Sequence, residues 1–162
     1  MGIYRAIVQD VLFLPVRITL PESDAAVLLQ ATGEIPLPVV GRLVLDTGAR
    51  RSSLAPMVLA RLRCPIRGHG AIQTVTGQQV VTTHDVCLEF LEGTLKPLTR
   101  WTVVRHAMPP RLAEYDGVIG RDILAGWEVV YRGPRRRLTV RDRASVWGWL
   151  ASWRVIAFCL DG

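Results

Sequence analysis

Arg42-Leu43-Val44-Leu45-Asp46-Thr47-Gly48-Ala49-Arg50-Arg51-Ser52-Ser53-Leu54 is the stretch whose reading decides the fold. An apolar run enters it and Ser52-Ser53-Leu54 leaves it, so a strand delivers the Asp46 carboxylate into a tight turn. Gly48 permits backbone positions that a side chain would block. Asp-Thr-Gly alone is a weak signal, because average composition yields it by chance in roughly a few per cent of chains this long. A second element follows about seventy residues later: Tyr115-Asp116-Gly117-Val118-Ile119-Gly120-Arg121-Asp122-Ile123-Leu124. Two apolar residues and a glycine precede Arg-Asp and a short helical pattern. Between the two elements, residues 71–83 form two β-branched arms around Thr76-Gly77, which reads as a hairpin.

Taken in this order, the three elements resemble the retropepsin-like aspartic protease family, in its cellular, bacterial-type variant. The resemblance spans about residues 12–140 and includes a Tyr-x-Gly turn at Tyr131-Arg132-Gly133. It implies an all-β retropepsin-like acid protease fold: a single lobe with one flap hairpin and one or two short helices. It implies that Asp46 is catalytic and that Thr47, Gly48 and Ala49 support its loop. Val75, Thr76 and Gly77 would form the tip of the flap over the substrate. Val118, Ile119, Gly120, Arg121 and Asp122 would pack beside the catalytic loop, with Val118 and Ile119 lining side-chain pockets. The resemblance breaks at Arg50 and Arg51. Viral members usually carry acidic residues there, and the first pairs with the arginine of the Gly-Arg motif. Arginines at both positions would repel Arg121, and Asp122 is the expected substitute partner for Arg50.

The chemistry fits that assignment. Hydrolysing a peptide without a metal or a covalent intermediate takes one group to activate water and another to protonate the leaving nitrogen. Two carboxylates sharing one proton do both. One chain offers one Asp-Thr-Gly, and a two-lobed protease would need a second. The expected active species is therefore a homodimer acting on a peptide or protein substrate, with no cofactor. A turn aspartate held by nearby amides is the plain alternative for Asp46. An ordinary hairpin tip is the plain alternative for Thr76 and Gly77. His69, His84 and His106 lack metal-ligand spacing and read as surface or loop histidines, so no metal is expected. Ser52 and Ser53 lack a Gly-x-Ser-x-Gly frame, and Asp116 reads as a turn residue.

Composition sets the outer bounds. The chain has 162 residues, 49% of them apolar, enough for one domain with a sizeable core. Its formal charge is +6, nearly all from arginine, since Lys96 is the only lysine. General arginine bias explains this better than a nucleic-acid surface, and no aromatic interleaving suggests base stacking. Arg135-Arg136-Arg137 reads as a solvated hairpin tip between strands at 128–131 and 138–140. Cys64, Cys87 and Cys159 form neither a disulfide framework nor a metal pair, which suits free thiols in a reducing, cytoplasmic setting. Asp10 and Pro15 interrupt the first apolar run, so it does not read as a signal peptide, and Ala6 stands where myristoylation needs Ser or Thr.

Along the chain, strands are expected at 11–20, 39–45, 85–91 and 99–105, with residues 25–29 continuing a meander and a short helix from Pro56 to Leu62. The protease-like domain is expected over 1–143. Residues 144–162 differ in kind, with Trp147, Trp149 and Trp153 among Val146, Leu150, Ile156, Phe158 and Leu160. The apolar segment 144–160 is short for a spanning helix, and Arg154 adds about 2.5–3.5 kcal/mol against insertion. Packing on the body or across a subunit interface is the favoured role; membrane contact is the lesser one. Two rival functions follow: a retropepsin-fold binding or scaffold module with weak catalysis, and a membrane-associated protein held by this tail.

Overall fold

The computed structural model describes residues 1–8, 10–74 and 77–142. Ten strands dominate: β1 (Ile3–Ile7), β2 (Phe13–Thr19), β3 (Val39–Leu45), β4 (Ser53–Leu54), β5 (Gly68–Thr74), β6 (Gly77–Phe90), β7 (Leu98–Arg105), β8 (Gly117–Ile119), β9 (Trp127–Arg132) and β10 (Arg137–Asp142). Three helices interrupt them: α1 (Glu22–Thr32), α2 (Pro56–Arg61) and α3 (Arg121–Leu124). The large sheet runs β2-β3-β8-β4-β7-β6-β5, and β2 also pairs with β6. That second pairing closes six strands into a ring and leaves β5 as an outlying strand on β6. A smaller antiparallel sheet has the order β1-β10-β9.

Burial explains the ring. On β2, Leu14, Val16 and Ile18 alternate inward and are at most 1% exposed, while Arg17 points out and pairs with Glu89 at 2.6 Å. Leu43, Leu54, Val86, Leu88, Val103 and Ile119 meet them from the other strands. Leu138 and Val140 of the small sheet join the same core, and Trp127 packs edge-on against Phe90 at 5.2 Å. A one-residue slip on any of these strands would turn its apolar set to water, so burial fixes the register.

Two readings of the chain change. Residues 25–29 do not extend a meander; they lie in α1. Glu22 and Asp24 favour its N-terminal turn, and Gly33, at φ +75°, closes it with its N–H on the Leu29 carbonyl at 2.8 Å. None of its residues is buried, so the helical periodicity that would have announced it is missing. His84 is not a surface histidine. It is 4% exposed, with Nε2 2.9 Å from Thr82 Oγ1 and Nδ1 3.0 Å from the Pro65 carbonyl. β1 carries no strong alternation of its own and forms by pairing with β10 from Ile3↔Arg141 to Ile7↔Arg137.

Beside His84, the Cys64 thiol donates to the Asp85 carbonyl at 3.2 Å. Burial, with Asp24 and Asp85 adding to it, pushes this thiol up to about 11 from its usual 9.0. The folded state thus favours the neutral thiol. Its contribution to stability is complete below pH 9 and fades as pH rises toward about 11. At pH 8 the folded protein therefore holds Cys64 as the neutral, weakly nucleophilic thiol. Iodoacetamide at pH 8, read by mass spectrometry, should therefore label Cys64 at least tenfold more slowly in native than in urea-unfolded protein. Equal rates would contradict the burial. No helix among the described residues is long and apolar enough to cross a membrane. Residues 143–162, including the Trp-rich segment, lie outside the described residues.

Candidate active site

The two sequence elements meet at the end of β3. Leu43, Val44 and Leu45 run parallel to Gly117, Val118 and Ile119 of β8. The chain then leaves the sheet, but its first turn stays tied to the neighbour. Asp46 N–H donates to the Ile119 carbonyl at 3.0 Å, and Arg121 N–H donates to the Ala49 carbonyl at 2.8 Å. Within the turn, Asp46 Oδ1 accepts the Gly48 N–H at 2.7 Å and the Ala49 N–H at 3.3 Å. A Cβ on Gly48 would stand 3.0 Å from that same oxygen, so glycine keeps room for the carboxylate. Asp46, Thr47 and Gly48 are exposed. Oδ2 of Asp46 and the Thr47 hydroxyl have no hydrogen-bond partner among the described residues.

The far side of the loop is clamped more firmly. Gly120 lies against the Arg51–Ser52 backbone, where a Cβ would come within 2.6 Å of the Arg51 carbonyl carbon. Ser52, 2% exposed, accepts the Gly120 N–H at 3.0 Å and donates its hydroxyl to Asp122 Oδ1 at 2.7 Å. Asp122 also receives the Ser52 N–H at 2.9 Å, the Ile123 N–H at 3.0 Å and Trp101 Nε1 at 3.3 Å. Its carboxylate is therefore occupied, and the pairing expected between Asp122 and Arg50 does not form. Arg50, Arg51 and Arg121 are exposed, and none has an ion-pair partner among the described residues. Solvent screens three exposed cations well enough that no local counter-charge is required.

Other site residues fall differently from expectation. Ile119 is fully buried in the core, so it supports the floor of the site and lines no pocket; Val118 is half-buried. Asp116 is more than a turn residue. Its Oδ2 accepts the Arg42 N–H at 2.9 Å and its carbonyl accepts the Ala55 N–H at 2.8 Å, joining β3 to the start of α2. The arms of the hairpin pair from Gly68↔Thr83 to Thr74↔Gly77, with Gly77 at φ +115°. Val75 and Thr76 lie outside the described residues. The structural importance of Ser52 and Trp101 was not legible beforehand, because both act through a partner about twenty to seventy residues away.

Removing the Asp122 carboxylate leaves the Ser52 N–H and hydroxyl and the Trp101 indole without their acceptor. Asp122→Ala should therefore cost about 2–4 kcal/mol of unfolding free energy. Asp122→Asn keeps one acceptor oxygen and should cost less. Urea unfolding of the two variants checks both values, and an Asp122→Ala midpoint equal to that of the parent would contradict the clamp.

No protein-family model matches the chain, and no curated protein matches it. It is similar to several solved structures. One is EIAV protease complexed with the inhibitor HBY-793, at 22% identity over 74% of this chain and 89% of that one, with a TM-score of 0.44. Another is the retroviral protease-like domain of Ddi1 from Leishmania major, at 18% identity over 83% and 96%, TM-score 0.42. A third is a retropepsin-like aspartic protease from Rickettsia conorii, at 9% identity over 86% and 93%, TM-score 0.42. These are likenesses of chain course, and at such identities and scores they say nothing about activity. Among the described residues, no group of three His, Cys, Asp or Glu is placed to hold a metal ion.

Proposed function

We propose that this chain is one half of a homodimeric aspartic endopeptidase of retropepsin type, with Asp46 of each protomer forming the catalytic pair. The observation that carries this reading is the state of Asp46. Its Oδ1 is fixed by two backbone N–H groups, its Oδ2 is unengaged among the described residues, and Asp46, Thr47 and Gly48 are exposed on a clamped loop. A turn aspartate that served only to shape its own loop would not need the Gly120–Ser52–Asp122 support beneath it. Across a two-fold axis the second Asp46 would bring a like charge close, and the pair would hold one proton between them.

The chemistry then follows. The ionised carboxylate takes a proton from water as the water oxygen attacks the scissile carbonyl carbon. The protonated carboxyl donates a hydrogen bond to the carbonyl oxygen as it gains charge. Collapse of the tetrahedral species breaks the C–N bond, with a carboxyl proton going to the departing nitrogen. Thr47, exposed and unpartnered among the described residues, would hydrogen-bond across to the partner loop and hold the two carboxylates in place. Substrate would lie extended between the β5–β6 hairpin and the floor, pairing its backbone as an added strand. Val118 on the floor and Ile72, on the same hairpin face as the buried Val81, would meet its side chains.

A binding module with weak catalysis is the competing reading, and Arg50 and Arg51 favour it, because they place unpaired cations next to the Asp46 turn. Incubating the full chain with a peptide library between pH 4 and 7 separates the two. Cleavage that disappears in Asp46→Asn supports the peptidase. Peptide binding without cleavage by a dimeric protein supports the module.

A further inference from the structure

Three arginines flank the Asp46 turn without a counter-charge of their own. Arg50 and Arg51 follow it directly, and Arg121, at the start of α3, is fastened to it by its N–H on the Ala49 carbonyl at 2.8 Å. Gly120, one residue earlier, packs on the Arg51 backbone, so the three positions form one small patch. All three are exposed, and none forms an ion pair among the described residues. Elsewhere the same sheet supplies a partner: Arg17 holds Glu89 at 2.6 Å, and Arg100 holds Asp85 at 3.2 Å. Here it does not. Asp122, the nearest carboxylate on the clamp, is filled by Ser52, Ile123 and Trp101. Asp46 Oδ1 is filled by the Gly48 and Ala49 N–H groups. The fold needs no counter-ion at this patch, so a ligand can bring one.

We infer that the patch selects peptides carrying Asp or Glu on either side of the bond presented to Asp46. This rests on the Asp46 turn being the peptide site, as proposed above. Distance sets which peptide residues are in reach. The Ala49 N–H bonds the Asp46 carbonyl at 3.2 Å, so the turn brings residues 46 and 49 within about 7 Å of each other. One further step of about 3.8 Å reaches Arg50. An extended peptide advances about 3.3 Å per residue, so the patch stands level with residues about three positions from the central bond. A guanidinium takes a carboxylate there in bidentate fashion. A two-fold dimer repeats the patch on the other side of the site. Gln at those peptide positions gains little from it, and Lys is repelled. Exposed pairs are individually weak, about threefold each, and screened by salt. One pair on each side therefore gives about tenfold.

Three octapeptides test the proposal. They share an apolar centre and carry Glu, Gln or Lys at their second, third, sixth and seventh positions. Fluorescence anisotropy with full-chain Asp46→Asn reads binding without cleavage. At pH 6 and low salt the Glu peptide should bind about tenfold more tightly than the Gln peptide, and the Lys peptide more weakly than either. The ratio should fall toward one below about pH 4, where the peptide's own Glu side chains protonate, and in high salt. Adding Arg50→Gln and Arg51→Gln should abolish it. Arg121→Gln alone should lower it at least twofold, a second reading should the double change prevent folding, which circular dichroism melting shows. Arg135→Gln with Arg136→Gln removes the same charge from the exposed connection between β9 and β10, in the other sheet, and should leave the ratio unchanged. Equal binding of the Glu and Gln peptides overturns the proposal. So does a Glu preference that survives loss of Arg50 and Arg51, or one lost equally with Arg135 and Arg136. Cleavage by the parent with no Glu preference overturns it and leaves the peptidase standing. A Glu preference in binding with no cleavage of any peptide supports it and favours the binding module over the peptidase.

Discussion

Asp46→Asn should lower kcat/KM for peptide cleavage by at least about 10⁴-fold while leaving fold and assembly intact. The substitution keeps the shape of the side chain and an oxygen that can accept the Gly48 N–H, now 2.7 Å from Oδ1. It removes the group that can be ionised or protonated, so the water is not activated and the leaving nitrogen is not protonated. Circular dichroism and sedimentation should match the parent, because Asp46 is exposed and the clamp on its loop runs through Ser52, Gly120 and Asp122. In the parent, two coupled carboxyl groups should give a bell-shaped rate profile with its optimum on the acid side of neutral. Comparable cleavage by Asp46→Asn would sink the assignment, and a rate still climbing above pH 8 would point to a different base.

The second large effect concerns assembly. If each protomer supplies one carboxylate, activity should rise with the square of protein concentration well below the dimer dissociation constant and become linear above it. Closed two-fold dimers are the commonest oligomers, and such an axis places two copies of the same turn face to face without any further motif. Excess Asp46→Asn chains should poison the parent by forming heterodimers with one carboxylate missing. Tenfold excess should leave about a tenth of the parental chains in fully paired dimers, by random mixing of equivalent protomers. Full activity per chain from a species that ultracentrifugation shows to be monomeric would refute the shared site.

Much of the site's architecture was legible because its signals are local. Asp46-Thr47-Gly48 combines an apolar strand with a glycine that leaves room for the Asp46 carboxylate, Val118-Ile119-Gly120 combines one with a glycine where the Arg51–Ser52 backbone comes close, and such patterns survive in one dimension. The hairpin of β5 and β6 was legible for the same reason, through its β-branched arms and Gly77. Helix α1 was not, because it buries nothing and so has no need of a periodic apolar stripe. Nor was β1, whose strand character comes from its partner β10 at the other end of the chain.

The sequence by itself determined which residue carries the candidate chemistry, the order of the three elements around it and the β-rich class of the domain. It did so because strand alternation, turn glycines and a carboxylate between them are properties of neighbours along the chain. Tertiary structure alone decided what each charge faces. It gave Asp122 to Ser52 and Trp101 and not to Arg50, put Ile119 in the core, buried His84 against Thr82 and the Pro65 carbonyl, and gathered Arg5 with Arg132, Arg137 and Arg141 on one face. A charged or polar side chain chooses its partner by distance and desolvation, and both are fixed only when strands remote in sequence have paired.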